Sequence, residues 1–183
     1  MLIQEATLDD CRAIAQLHAT SWHSVYRGAF SESYLSGDVF ADRYQLWKAR
    51  LTAPPGNQHI LLARDETDIL GFACLFRDEN PAWGSFLNNL HVSPGMRRSG
   101  IGRSLLHAAA LTCLEHGGDG GLYLWVLQSN HEAQDFYRHF GARNVEEDVW
   151  IAFGGTEAPI FRFFWPNLKT LAVASAPSSI KSA

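Results

Sequence analysis

Gly100 and Gly102 stand two residues apart, between a strand-like run and an apolar helical period, and constrain this chain more than any other feature. Phe86 to Val92 reads as a strand, and Pro94 and Gly95 break it. Ile101, Leu105 and Leu106 then open a helical pattern. The first backbone N–H groups of such a helix have no partner within it, and the loop can aim several of them at one anion. Glycine carries no Cβ, so the backbone can come close to a bulky ligand. Arg97, Arg98 and Arg103 surround the spot with positive charge. A phosphate or pyrophosphate suits this cradle. It is not a Walker loop, because Arg103-Ser104 stands where Lys-Ser or Lys-Thr is needed and the spacing differs. A dinucleotide fingerprint would place a third glycine at Leu105.

The 183 residues suffice for one domain with a sizeable core, and 46% hydrophobic content favours a globular chain. A net charge of −4 argues against general nucleic-acid binding, which makes the arginine cluster a local anion site. No apolar run reaches the length of a membrane span, so no membrane partner is expected. Met1 to Glu5 lacks the basic and apolar regions of a signal peptide, and a cytoplasmic location is expected. Cys11, Cys74 and Cys113 are odd in number and far apart, which suggests buried thiols in a reducing compartment. The eight histidines contain no His-Glu-x-x-His pattern, and no metal site is expected.

Leu2 to Ala6 reads as a strand, and Thr7 with Asp10 as a helix start whose inner face holds Cys11, Ile14, Ala15 and His18. Ser21 to Phe30 reads as irregular, and Glu32 to Leu51 as a second helix. Two strands follow, His59 to Arg64 and Ile69 to Arg77, then a polar loop over Asp78 to Pro81. Ser85 to Val92 is a central strand, Gly100 to His116 a helix, Gly117 to Gly121 a turn and Leu122 to Leu127 an apolar strand. Ser129 with Glu132 has the spacing of a capping box for a helix ending at Phe140, with Gly141 as its left-handed stop. Arg143 to Ala152 and Ala158 to Trp165 close the sheet. These elements predict a mixed α/β fold, with a central mixed sheet of about seven strands flanked by about four helices. A single domain would span residues 1–166, and 167–183 would be a loosely attached Ala/Ser-rich tail.

Within the helix after Asn130, Ala133, Phe136, Tyr137 and Phe140 share one face. The phenol of Tyr137 would need a polar partner there. The pattern Leu90-x-Val92-x-Pro94, then Arg97-x-x-Gly100-x-Gly102, resembles the coenzyme A loop of the GNAT N-acetyltransferase superfamily. Asn130-x-x-Ala133-x-x-Phe136-Tyr137-x-x-Phe140-Gly141 resembles the same family independently. The resemblance covers roughly Leu2 to Pro166 and is most specific from Leu90 to Gly141.

The resemblance implies an acetyl-CoA-dependent N-acetyltransferase that acts by direct transfer to a small-molecule amine or a peptide N-terminus. Leu90, His91 and Val92 would lie along the cofactor, and Arg97, Arg98, Ser99, Gly100, Ile101, Gly102 and Arg103 would anchor its pyrophosphate. Asn130 would touch the pantetheine arm or cap its helix, beside Ala133. Tyr137 would protonate the leaving thiolate. Many members carry a basic Glu or His on the strand before the loop, whereas this chain has Asn88, Asn89 and His91 there. His91 is the candidate base, His23 and Glu32 are weaker ones, and the asparagines could orient a water. Trp22, Tyr26 and Tyr34 are candidate walls of the acceptor pocket or simply packing aromatics. A homodimer is common in such proteins. The same loop would also serve transfer of a longer acyl group, or an acyl-CoA-binding regulatory module without turnover. An interaction domain pairing through Phe161 to Trp165 would leave the arginine–glycine loop unexplained.

Overall fold

The computed structural model describes residues 1–25, 37, 39–115, 120–151 and 156–177. Seven strands form one sheet: β1 (Leu2–Glu5), β2 (Gln58–Arg64), β3 (Ile69–Asn80), β4 (Gly84–Val92), β5 (Leu122–Leu127), β6 (Arg143–Ile151) and β7 (Glu157–Trp165). Their spatial order is β1-β2-β3-β4-β5-β7-β6. The described helices are α1 (Cys11–Val25), α2 (Val39–Thr52), α3 (Ile101–Glu115), α4 (His131–His139) and α5 (Leu168–Ser175). None of them is long and apolar enough to cross a membrane.

Every neighbouring pair of strands is antiparallel except β4 and β5. These two are joined by the α3 crossover, which a parallel pair requires. They pair only at Ser85–Leu122 and Phe86–Tyr123, and then diverge into a fork. Side-chain alternation gives the sheet two apolar faces. Ile60, Leu62, Phe72 and Cys74 meet α1 and α2 around Trp47, which is fully buried. Leu61, Ala73, Leu75, Leu124 and Phe163 meet α3, α4 and α5. Helix α3 lies close on β3 because residue 71 is glycine: a Cβ there would stand 2.8 Å from the His91 carbonyl oxygen and 3.0 Å from Ile101 Cγ2.

Several sequence expectations shift. The stretch from Ser21, read as irregular, continues α1 to Val25, where Trp22 packs with Ala19 and Val39. The second helix begins at Val39 within the described residues, not at Glu32. The polar loop at Asp78 is strand as far as Asn80, whose side chain then accepts from the Ala82 and Trp83 N–H groups at 2.9 and 3.2 Å. The cap of α4 is Asn130 rather than Ser129, its Oδ1 accepting from the Ala133 N–H at 3.1 Å. Gly141 takes φ +87 as the stop. Residues 117–119 of the glycine-rich turn lie outside the described residues. The three cysteines are buried and free.

The largest difference is the segment beyond Pro166. The expected loose tail contains α5, making five described helices instead of about four. Leu168, Leu171 and Ala172 are buried in the same core as α3. Ser175 is buried as well, and its hydroxyl is satisfied by the Leu171 carbonyl at 2.7 Å. Leu171→Ala should therefore lower unfolding stability by about 2–4 kcal/mol, while Val173→Ala on the exposed side should stay within about 0.5 kcal/mol, both read from urea midpoints. Equal midpoints for the two variants would contradict the docking of this helix.

Candidate active site

A cavity of 1060 Å³ runs along the fork between β4 and β5. At one end lie Arg97, Arg98, Gly100 and Gly102, with Arg103 beside them. Leu90, Val92 and Leu124 to Leu127 form its middle, and Asn130, Ala133 and Tyr137 of the α4 region form a wall. At the other end are Ser21, Asn88, Asn89 and His91. Most of the site residues expected from sequence thus border one space. Ser99 and Ile101 do not. The Ser99 hydroxyl donates to the Met96 carbonyl, and Ile101 is buried in the core. Trp22 packs in a hydrophobic cluster, with the Arg43 guanidinium 4.1 Å from its ring centroid, and does not line the cavity. Tyr26, Glu32, Tyr34 and the side chain of His23 lie outside the described residues.

The two glycines of the loop differ in what the backbone asks of them. Gly100 has φ +86, and no atom lies within 4 Å of where a Cβ would stand, so backbone conformation, and not crowding, requires glycine. A Cβ on Gly102 would lie 3.4 Å from the Phe136 ring and 3.6 Å from Val92, which is ordinary van der Waals contact, so the packing of α3 against α4 and β4 does not itself demand glycine there. The Ser104 N–H makes the first helical bond, to the Gly100 carbonyl at 3.0 Å. The Ile101 and Gly102 N–H groups precede it and have no acceptor within the helix.

The three arginines are placed differently. Arg97 pairs with Glu132 at the start of α4, at 3.0 Å. Arg103 donates to the Ser175 carbonyl at 3.2 Å and to that of Ala176, at the C-terminal end of α5, where the helix dipole favours a cation. Arg98 is exposed and makes no hydrogen bond or ion pair with another described residue. The cradle's available charge therefore centres on Arg98 and on Arg97 as exchanged from Glu132.

At the opposite end, the β3–β4 register jumps between Cys74–Asn89 and Leu75–Leu87, which leaves Asn88 as a bulge. Leu87 and Leu90, three residues apart, consequently share the α3 face, and His91 faces α1 opposite Phe72. The His91 ring lies 4.8 Å from that of His18 and 5.2 Å from that of Phe72. Burial, with help from the Arg97 charge, pushes its pKa down to about 4. His18 is held well below its usual value by burial and then by His91 and the nearby arginines. Its Nδ1 accepts the Trp47 indole N–H at 3.0 Å, which places the ring proton on Nε2. Both imidazoles are neutral at ordinary pH. An NMR titration should show His91 and His18 unchanged from about pH 8 to about 5.5, and a His91 midpoint near ~6.5 would contradict this environment. Because the unfolded histidines take up protons first, stability should fall as pH drops from about 6.5 toward 4.

Sequence reasoning missed Gln134, which is buried and donates to the Leu127 and Gln128 carbonyls at 3.0 and 2.8 Å, fixing the end of the fork. It also missed Ser21 and Trp125 as cavity residues. Among the described residues no cluster of His, Cys, Asp and Glu could hold a metal ion.

A sequence model described as the acetyltransferase (GNAT) family matches residues 19–142. An uncharacterised N-acetyltransferase, YuaI of Bacillus subtilis (strain 168), is 27% identical over 172 residues, covering 92% of this chain and 95% of the relative. The PaiA N-acetyltransferase of Thermoplasma acidophilum, solved in complex with coenzyme A, superposes with a TM-score of 0.69 at 21% identity, over 90% of this chain and 100% of that one. The ribosomal-protein-alanine N-acetyltransferase of Brucella melitensis gives 0.68 at 20% identity, over 91% and 99%. At such identities the two structures establish the shared fold.

Proposed function

The chain belongs to the acetyltransferase (GNAT) family, and on that premise we propose that it transfers an acetyl group from acetyl-CoA directly to a primary amine, of a small molecule or a peptide N-terminus, within the β4–β5 fork. One observation carries this reading: a single cavity joins the arginine–glycine loop, the unpaired strand edges and Tyr137.

The residues present fit the cofactor. The Ile101 and Gly102 N–H groups, with Arg98 beside them, suit its pyrophosphate. The edges of β4 and β5 that face one another beyond Phe86 and Tyr123 do not pair, and can offer backbone groups to a pantetheine arm. Asn130 spends its Oδ1 on the helix cap, which leaves its amide N–H groups for the same arm. When bound, acetyl-CoA supplies an acetyl group activated as a thioester.

The remaining work falls to the chain. Remote contacts along the loop and fork position the reacting carbonyl. A backbone N–H between Leu90 and Val92 steadies negative charge on its oxygen. Tyr137 holds a proton at its phenolic oxygen for the departing sulfur. His91 accepts protons poorly at neutral pH with a pKa of about 4, so the amine arrives neutral or loses its proton to a water that Asn88 and Asn89 orient. The rate should accordingly follow the ionisation of the amine and show no inflection near ~6.5 from His91. The experiment is a screen of amines for thiol release from acetyl-CoA. Amine-dependent release supports the reading, and binding without release for every amine tested contradicts it.

A further inference from the structure

Arg50 brings a half-buried guanidinium to the wall behind Asn89, with no carboxylate among the described residues to balance it. It leaves the last turn of α2 and lies against two aromatic rings, 5.1 Å from the Trp47 centroid and 5.4 Å from that of Phe76. Its Nη1 donates to Asn89 Oδ1 at 3.3 Å and weakly to Cys74 Sγ at 3.7 Å. Among the described residues no Asp or Glu pairs with it, while Arg43, Arg64, Arg97, Arg138 and Arg162 each have such a partner. Cys74 supplies no counter-charge, because burial pushes its thiol up to about 12 and keeps it neutral. Burial, and to a smaller degree the Arg43 charge, lowers the Arg50 pKa.

The same hydrogen bond sets the Asn89 amide. Its oxygen is turned to Arg50, which leaves the two N–H groups of its Nδ2 for the cavity that Asn89 lines. The carboxylates bordering the cavity, Glu132 and Asp135, belong to α4 at the other end. The acceptor end therefore offers the oriented donors of Asn89, with the Arg50 charge behind them and no negative charge among the described residues. A cation half removed from water calls for an anion, and the planar guanidinium matches a carboxylate.

We propose, on the acetyltransferase reading of this cavity, that the acceptor is a small amine that also carries a carboxylate, of the amino-acid type, and that the Asn89 N–H groups receive that carboxylate with the Arg50 charge directly behind them. The Arg50 charge disfavours polycationic amines, and a peptide N-terminus lacks a carboxylate near its amine.

The test is thiol release from acetyl-CoA with free amino acids, each run against its own carboxamide. The preferred amino acid should exceed its amide in kcat/KM by about 10–100-fold. Arg50→Gln should erase that difference, chiefly through KM, and Arg50→Lys should retain part of it because the charge stays while the fork is lost. Calorimetric binding of acetyl-CoA to both variants should match the parent and shows that they are folded. An amide used as well as its acid overturns the proposal. So does a Gln variant that slows both alike, or a parent that binds acetyl-CoA yet acetylates no amino acid. A parent that does not bind acetyl-CoA fails the acetyltransferase reading itself, and this proposal with it.

Discussion

Gly100→Asp should weaken acetyl-CoA binding by at least about 100-fold while the protein stays folded. Position 100 has φ +86 and open space around it, so a side chain meets conformational strain rather than a clash. Asp is among the residues that tolerate positive φ best, and the folding cost should be about 1–2 kcal/mol. The binding cost is larger, because a carboxylate would stand beside the helix start proposed to receive a pyrophosphate. Gly100→Asn separates the two effects. It has the same shape without the charge, and its loss should be about tenfold smaller than that of Asp. Equilibrium dialysis with labelled acetyl-CoA measures both. An Asp variant that binds as the parent does would remove the loop from the site.

Tyr137→Phe should lower kcat by about 10²–10⁴-fold with acetyl-CoA affinity nearly unchanged. The ring makes edge contacts with Phe136 at 5.3 Å and Trp165 at 5.7 Å, and phenylalanine keeps them. Only the phenolic oxygen is lost. A fall in kcat without a fall in affinity identifies a group that acts during the chemical step. If kcat changes by less than about threefold, Tyr137 is a packing residue, and the proton for the sulfur comes from elsewhere.

The parts of this site that were legible in sequence are those written in the local backbone. Gly100 and Gly102 announce a strand–loop–helix junction, and the junction lies where they put it. Ala133, Phe136 and Tyr137 follow helical spacing, and one face of α4 reaches the cavity. Residues joined only by tertiary structure were not legible. Arg50 meets Asn89 across 39 positions of chain, and Arg97 meets Glu132 across 35. No local signal marks either pair. Gln134 looks like an ordinary polar helix residue until the end of β5 is packed beside it. Which way Asn89 and His91 face depended on the bulge at Asn88, which alternation alone cannot reveal. The α5 stripe was present in sequence as Leu168, Leu171, Ala172 and Ser175, but a serine as its fourth member hid the period. The buried Ser175 hydroxyl returns its hydrogen bond to Leu171, which is how a polar residue joins an apolar stripe.

The central claim is that the cavity in the β4–β5 fork is an acetyl-CoA site, and calorimetric titration of the unmodified protein with acetyl-CoA tests it most directly. The predicted result is saturable binding of one acetyl-CoA per chain, relieved by adding coenzyme A as competitor. A folded protein that gives no binding signal would contradict the claim and reduce the arginine–glycine loop to a structural turn.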